Sequence, residues 1–443
     1  MPVYKSIKLL NSIELPRVVP EVSHTSTNTT NPVCPREPEK LLLWESFEQE
    51  VSEALRTYFT KESFCNKMEK EKFIEDDDLL CSCEADVEAY LLTNIYRPVQ
   101  SCLKNMGIKS SIRKPGGEAH LIGAVDALWM TGEGTEVYRK PKGTIQVKTP
   151  WAMGEVGDII ATYQRESQLK EYHHKKIFKA VNQVYGYMSV NSHKYGVLTN
   201  FNCTWFFERG FTDKEGGCLR VSRPFYHDTI LPGLCGDIGI KFNIISAFLG
   251  IVLLSHHNWF HVSPFTTPNS TPKVHRKLKN KNYGVKILKQ NEFWLNECIA
   301  NGRIGSVVRG NLWGHENVIF KLKDLTKESW KEKELKNEVS VYKKLESLQG
   351  KVIPKFIACV KIWDMFTGIV ISDCGQQTEE GEFVSLKQDC LRQFHDQGLI
   401  HGDVCNRNFV KNIEGKVFII DFGFTRPCND ENIKSEELES CKY

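Results

Sequence analysis

Residues Leu399-Ile-His401-Gly-Asp403-Val-Cys-Asn-Arg-Asn408, followed by Ile419-Ile420-Asp421-Phe422-Gly423, are the stretch on which the reading of this chain turns. An aspartate and an asparagine stand five apart in a polar turn, and a second aspartate ends an apolar strand thirteen residues further on. Phosphoryl transfer needs such a set. One carboxylate orients the nucleophile and accepts its proton, while an amide oxygen and another carboxylate hold magnesium on a nucleotide's phosphates. The plain alternative is a polar loop before a buried strand.

The pattern resembles the catalytic loop and DFG segment of the protein-kinase superfamily, which implies ATP and Mg2+ as ligands, Asp403 as catalytic base and Asn408 and Asp421 as metal ligands. It also implies three parts upstream. Ile299-Ala-Asn-Gly302-Arg-Ile-Gly305-Ser-Val307 resembles a phosphate-covering loop, with Ala300 where the first glycine stands; small residues let backbone amides approach phosphates. Val318-Ile-Phe-Lys321 matches the strand whose lysine pairs with the phosphates, and Lys323 shares its face in a period-two strand as the rival. Glu334 to Leu348 carries Val339, Tyr342 and Leu345 at helical spacing, with Glu338 as the lysine's expected partner and Glu334 as the alternative.

Two departures qualify the resemblance. Gly402 replaces the arginine that would clamp a phosphorylated loop, so activity is expected not to depend on such phosphorylation. The sequence runs only 22 residues past Asp421 without an APE-like segment, so the usual substrate platform is expected to be missing. An HGD loop with a short tail looks like minimal atypical kinases of the RIO-like group, and also like aminoglycoside-type phosphotransferases.

The first half carries a second pattern. Leu121 to Trp129, with Asp126, reads as one strand, and Gly143 to Trp151, with Gln146 and Lys148, as another. Side chains two apart on a strand share a face, so Gln146 and Lys148 point the same way. Lys179 to Val190 reads as a helix containing Gln183 and Tyr187, a QxxxY spacing, and Glu84 and Glu88 lie four apart on a helical stretch running to about Ile95. This set resembles the PD-(D/E)XK restriction-endonuclease-like superfamily, RecB-type branch. The resemblance implies a site for Mg2+ or Mn2+ made by Asp126, Gln146 and a helix carboxylate, Glu84 preferred over Glu88, with Lys148 stabilising charge on a phosphate and Gln183 and Tyr187 facing the same pocket. Gln146 departs from the acid of the family pattern and is expected to weaken metal binding, since hard cations favour carboxylates. The union of both halves resembles Crinkler-type effectors and fungal kinase-like proteins, over residues 80–210 and 295–428.

Composition agrees with a folded, two-domain chain of α+β class. The 443 residues are 41% hydrophobic and 11% aromatic, enough for more than one core. A formal net charge of +3 gives no global drive toward nucleic acid, so any DNA contact of the first domain must be a local patch, with Lys140, Lys142 and His173 to Lys176 as candidates. Fifteen cysteines, with Cys81-Ser-Cys83 the only close pair and no CxxC, read as reduced thiols of a cytoplasmic or nuclear protein without structural zinc. Met1 to Pro20 builds no secretory signal. The apolar run Ile244 to Leu254 is too short for a bilayer, which needs about 20 residues, and reads as a buried helix closing the first domain.

The expected organisation is a mobile tail over 1–40, an endonuclease-like α/β domain over 41–262, a basic proline-containing linker over 263–283, a bilobal kinase-like domain with a truncated second lobe over 284–428, and an acidic tail over 429–443. The linker's basic cluster reads either as a nuclear-import signal or as a soluble hinge. The leading function is an ATP-dependent phosphotransferase acting on serine or threonine of a protein substrate. A metal-dependent DNA endonuclease with a regulatory kinase domain and a catalytically weak scaffold are the alternatives. No membrane partner is expected.

Overall fold

The computed structural model describes residues 2–20, 37–59, 79–115, 121–132, 141–154, 156–171, 174–210, 218–261, 284–288, 292–302, 305–325, 332–363 and 365–441. The chain forms two compact units, Met1–Pro264 and Phe265–Tyr443, both of mixed α and β structure. The expected linker over 263–283 lies outside the described residues, as do Lys140 and His173.

In the first unit the strands of the main sheet are β1 (Lys40–Leu43), β2 (Lys109–Arg113), β3 (Ala127–Gly132), β4 (Gly143–Val147), β5 (Tyr195–Thr199), β6 (Cys203–Arg209), β7 (Cys218–Val221) and β8 (Phe225–Tyr226). They make one mixed sheet in the order β1-β7-β6-β5-β4-β3-β2, with β8 paired to β6. The helices are α1 (Pro2–Ser12), α2 (Phe47–Phe59), α3 (Glu84–Leu91), α4 (Arg97–Asn105), α5 (Ile159–Ser167), α6 (Lys176–Val190) and α7 (Ile244–His257). Strands β4 and β5 are parallel, so their connection must cross over, and it does so through α5 and α6. Alternation along the strands divides the core. Trp129, Ile145, Val147, Val197 and Phe206 pack with α1, α2, α3, α4 and α7, whereas Leu198, Trp205 and Phe207 pack with α5 and α6. Phe206 stacks on Phe47 at 5.0 Å and meets Phe225 and Phe248 edge-on at 5.6 and 5.7 Å. Truncating it to alanine should cost about 3–5 kcal/mol.

The expected buried helix at Ile244 is α7, capped by Asn243, whose Oδ1 accepts from the amides of Ile245 and Ser246. Among the described residues no helix is long and apolar enough to cross a membrane. Three expectations need correction here. Of the mobile tail expected over 1–40, residues 21–36 lie outside the described residues, and residues 2–20 carry regular structure: Ser6, Leu9, Leu10 and Ile13 follow the i, i+3, i+4, i+7 rule and are buried, and Val18–Pro20 pairs with Leu79–Cys81. Leu121 to Trp129 is not one strand, because β3 begins at Ala127 and the Asn191 side chain satisfies both backbone groups of Ile122 at 2.7 and 2.9 Å. Strand β4 stops at Val147 because Pro150 opens a short helix, Pro150–Met153, where its missing N–H is harmless. The helical stretch from Glu84 continues through a π-turn, Leu92–Tyr96, into α4.

In the second unit the strands of the main sheet are β9 (Val285–Leu288), β10 (Phe293–Gly302), β11 (Gly305–Leu312), β12 (His315–Asp324), β13 (Phe356–Ile362) and β14 (Phe366–Ser372), in the order β9-β13-β14-β12-β11-β10. Helix α8 (Glu332–Lys344) packs on one face through Tyr342 and Leu345 against Ile319, Ile369 and Ile371, and a 3-10 turn, Glu346–Leu348, completes the expected helical stretch. Beyond the sheet come α9 (Val384–His395), β15 (Gln376–Gln377), β16 (Leu399–Ile400), β17 (Phe409–Lys411), β18 (Val417–Ile419), β19 (Arg426–Pro427) and α10 (Glu431–Ser440). Strands β15, β17 and β18 form a small sheet, and β19 folds back to pair with β16. The expected acidic tail over 429–443 is thus mostly α10. Asp430 caps it, and Cys441 beyond its end is buried in the same core as α9.

Candidate active sites in the two units

Strand β12 alternates Val318, Phe320 and Leu322 on one face with Ile319, Lys321 and Lys323 on the other, the face that meets α8. Two strand residues advance about 6.6 Å and four helical residues about 6 Å, so two lysines can each find a glutamate. Lys321 Nζ lies 2.5 Å from Glu338 Oε1, and Lys323 Nζ lies 3.3 Å from Glu334 Oε2. Lys321 also reaches Asp421 Oδ1 at 3.2 Å. Burial alone would lower the Lys321 pKa; attraction by Glu338 and Asp421 outweighs it and holds the ammonium charged.

The β10–β11 hairpin covers this strand. Gly302 pairs with Gly305, and Val307 lies directly across from Lys321. Gly305 has φ +127, and a Cβ there would come within 2.1 Å of the Leu322 carbonyl oxygen, so only glycine fits. Arg303 and Ile304, between the two glycines, lie outside the described residues.

Asp403 and Asn408 are brought together by the 3-10 turn Asn406–Asn408. Asn408 Nδ2 donates to the Asp403 carbonyl at 2.7 Å and to its Oδ2 at 3.1 Å, and Arg407 Nη2 donates to both Asp403 carboxylate oxygens at 3.0 Å. Partial burial opposes ionisation, but these hydrogen bonds hold the Asp403 carboxyl below the usual aspartate value. Ile420 N–H donates to the Asn408 carbonyl at 2.9 Å, which ties the turn to the strand end bearing Asp421. His401 is buried, accepts from Asp403 N–H at Nδ1 and meets the Ile420 carbonyl at Nε2, 2.9 Å away. Burial lowers its pKa, and that pair of contacts fits a neutral ring donating from Nε2.

Asp421 has φ +70, a region that costs a non-glycine residue on the order of 1–3 kcal/mol and persists only where neighbours over-determine it. Phe422 is fully buried against Tyr342, Phe394 and His401, with ring centroids 5.1, 5.6 and 5.8 Å away. Gly402 has φ +80, and a Cβ there would meet the Phe424 carbonyl oxygen at 2.6 Å. Its N–H and that of His401 both donate to Glu437 of α10, at 2.6 and 3.0 Å, and His395 reaches the same carboxylate at 2.9 Å. Sequence reasoning missed Glu437. Its only signal was an acidic i, i+3 pattern indistinguishable from a solvated tail.

In the first unit, Asp86 accepts from Ser82 and Cys83 amides at 2.8 and 3.0 Å and fixes the start of α3. Glu84 and Glu88, one turn apart, then project together. Their oxygens and one of Asp126 all lie within 4.8 Å of one another. Both helix glutamates therefore join the cluster, where one was expected. Lys114 pairs with Glu88 at 3.1 Å. Asp126 is buried and accepts from Val147 N–H at 2.8 Å. Ala127 is the register partner of Ile145 in an antiparallel pair, so continuing the ladder by one residue sets Asp126 opposite Gln146, on one face. Gln146 and Lys148 are buried, and Gln146 Oε1 and Lys148 Nζ have no hydrogen-bond partner among the described residues. Burial lowers the Lys148 pKa, and Glu84 and Glu88 pull it back. On α6, Gln183 and Tyr187 are buried, and the Tyr187 hydroxyl donates to the Ala124 carbonyl at 3.4 Å, which braces the loop carrying Asp126.

Both sites test well against the groups they resemble sites for. The Gly305 cradle, the charged Lys321 and the oxygens of Asp421 and Asn408 suit a nucleotide with its magnesium. Three clustered carboxylates beside the unpartnered Gln146 oxygen suit a divalent cation, and the Lys148 ammonium suits a phosphate.

The chain is thus a two-unit α/β protein with a lysine–carboxylate site in one unit and a carboxylate cluster in the other. No family model matches it. It is 26% identical over 157 residues to the serine/threonine-protein kinase STE20 of Debaryomyces hansenii, a match covering 33% of this chain and 14% of that protein. It is 28% identical over 100 residues to the meiotic driver SPOK2 of Podospora anserina, covering 20% of this chain and 13% of that protein. The chain thus matches about one-seventh of the length of each of these curated relatives, and the likeness to a kinase is distant.

Proposed function

We propose that the second unit is an ATP-dependent phosphotransferase of protein-kinase-like fold that phosphorylates serine or threonine of a protein. The observation carrying this reading is the chain of contacts Glu338–Lys321–Asp421, joined through Ile420 and Asn408 to Asp403. ATP with magnesium supplies the phosphoryl group. Glu338 holds Lys321 charged and aimed at the nucleotide's phosphates; Asp421 and the Asn408 amide oxygen hold the metal; the strands at Gly302 and at Gly305–Val307 bring backbone amides to the phosphates. Asp403 orients the acceptor hydroxyl and takes its proton at a carboxylate oxygen, while Arg407 keeps that carboxylate ionised. The likeness to STE20 supports the reaction class.

Radiolabelled MgATP with casein as acceptor tests it. Asp421→Ala should abolish MgATP binding. Asp403→Asn should spare binding and slow transfer about a thousandfold, within the several kcal/mol that one positioned electrostatic group supplies. Transfer by both variants at the wild-type rate sinks the assignment.

For the first unit, the Lys148 ammonium and the Gln146 amide oxygen, both without a hydrogen-bond partner among the described residues, together with the Glu84, Glu88 and Asp126 cluster favour a second reading, a metal-dependent DNA endonuclease of PD-(D/E)XK type. Gln146→Glu should raise Mn2+ affinity about tenfold through added ligand charge and raise plasmid cleavage, and Asp126→Ala should remove both. Unchanged Mn2+ binding by both variants, measured by calorimetry, ends this reading.

A further inference from the structure

The left-handed turn at Asp421 needs something to hold it, and one residue that reaches it has been given no role above. Asn337 stands on α8 immediately before Glu338. Its Nδ2 lies 3.2, 3.1 and 3.0 Å from the carbonyls of Phe422, Gly423 and Thr425, so its two N–H groups are shared among three acceptors. One side-chain amide thus gathers three carbonyls that a tight turn aims at a single point. The same helix supplies the carboxylate on Lys321, and Lys321 in turn touches Asp421. Asn337, Glu338, Lys321 and Asp421 therefore close a ring of contacts: a shift of α8 would move both the glutamate and the turn. Thr425 adds a second tie, its N–H donating to the Phe422 carbonyl at 3.2 Å and its hydroxyl to the His401 carbonyl at 3.4 Å.

We propose that Asn337 is a positioning residue that latches the Asp421–Thr425 turn to α8, so that the metal-binding carboxylate and the Lys321–Glu338 pair are set together without a phosphorylated loop. This deepens the phosphotransferase reading and rests on it. The chemistry of the latch makes an unusual ranking. Alanine removes two N–H donors. Aspartate removes them and also turns a carboxylate onto three carbonyl oxygens, so it must be worse than alanine although it fills the same space. Glutamine keeps the donors on a longer stem and should recover part of the function.

The full chain is used in each variant. MgATP KM and kcat on casein should worsen in the order Asn, Gln, Ala, Asp, with the alanine variant changed on the order of ten- to a hundredfold, the scale a misplacement of about 1 Å carries. The change should fall more on the MgATP KM than on thermal unfolding, because the turn is small and its core anchor, Phe422, is untouched. Amide hydrogen exchange at Phe422 to Thr425 should quicken in Asn337→Ala without nucleotide. An aspartate variant as active as the alanine one, or unchanged kinetics in Asn337→Ala, overturns the proposal. If wild type itself neither binds nor uses MgATP, the phosphotransferase reading fails on its own, and exchange still decides the latch: protection unchanged by alanine overturns it.

Discussion

The two candidate sites treat a buried lysine in opposite ways. Lys321 lies between two carboxylates, and the attraction raises its pKa despite burial. Lys148 is the more deeply buried of the two, has no hydrogen-bond partner among the described residues, and burial lowers its pKa. Satisfied polar networks stiffen a core, whereas an unpartnered buried polar group costs stability wherever it is found. The second unit therefore holds its lysine in a structure complete in itself. The first unit sets an ammonium and an amide oxygen beside three acids at a standing cost, which is the expected signature of a group kept for what it binds.

The largest effect expected from this contrast comes from removing the strained lysine. Lys148→Met keeps volume and removes an unpartnered ammonium. It should raise the stability of the first unit by about 1–3 kcal/mol and abolish any plasmid cleavage. The matching change Lys321→Met should do the reverse to stability, since it strands Glu338 in a buried site. Urea unfolding of the full chain, followed by probes in each unit, separates the two. A Lys148→Met protein less stable than wild type would show that the ammonium has a structural partner and break the comparison.

A smaller effect belongs to Glu437. Glu437→Ala leaves the His401 and Gly402 amides and the His395 ring without their shared acceptor, at about 1–3 kcal/mol, and should slow phosphate transfer by loosening the Asp403 loop. Glu437→Gln retains an acceptor oxygen and should lose less. If alanine and glutamine are equivalent in both stability and transfer, the carboxylate does not hold the loop.

What the sequence made legible follows from how local the determinant is. The Asp403–Asn408 turn, the Asp421 strand end and the Lys321 face are set by spacings of two to five residues within one element, and such periodicities can be read directly. The Lys321 or Lys323 choice could not be read, because both share a face; it depends on where α8 lies, and both lysines find glutamates. Gly402 was read as a lost arginine. Its positive φ and its approach to Phe424 show a backbone that admits no side chain, a constraint created by a residue 22 positions away. Glu88 was ranked behind Glu84, and Asn337 was passed over, for the same reason: their roles arise from tertiary closure, of α3 onto the sheet and of α8 onto the Asp421 turn. The N-terminal helix was missed because the polar stretch after Pro20 dominated the reading of the first forty residues, although Leu9, Leu10 and Ile13 already carried a helical stripe.

The smallest expected effect is on acid stability, and it sharpens the comparison because each unit buries neutral imidazole. In the first unit burial pushes His193 down to about 3 and His256 down to about 4. In the second, burial lowers the pKa of His401, which makes contacts through both ring nitrogens. A histidine whose folded pKa is depressed contributes stability that is present above its unfolded value, about 6.5, and is lost as pH falls, because the unfolded chain takes the proton first. The lowered carboxyls, Asp403 and Glu437 among them, titrate below the ordinary acid range and do not contribute between pH 7 and 5. Each buried histidine should therefore remove roughly 1.4 kcal/mol per pH unit once the pH is below about 6.5. Burial raises the carboxyls of Glu166 and Glu208 in the first unit and of Glu338 in the second, which works in the opposite direction, so the histidine contribution is read from the variants and not from the wild-type slope. His193→Gln should flatten the slope of the first unit alone, and His401→Gln that of the second alone. Urea midpoints at pH 7 and 5 that fall equally in all three proteins would show that neither ring is held neutral by its surroundings.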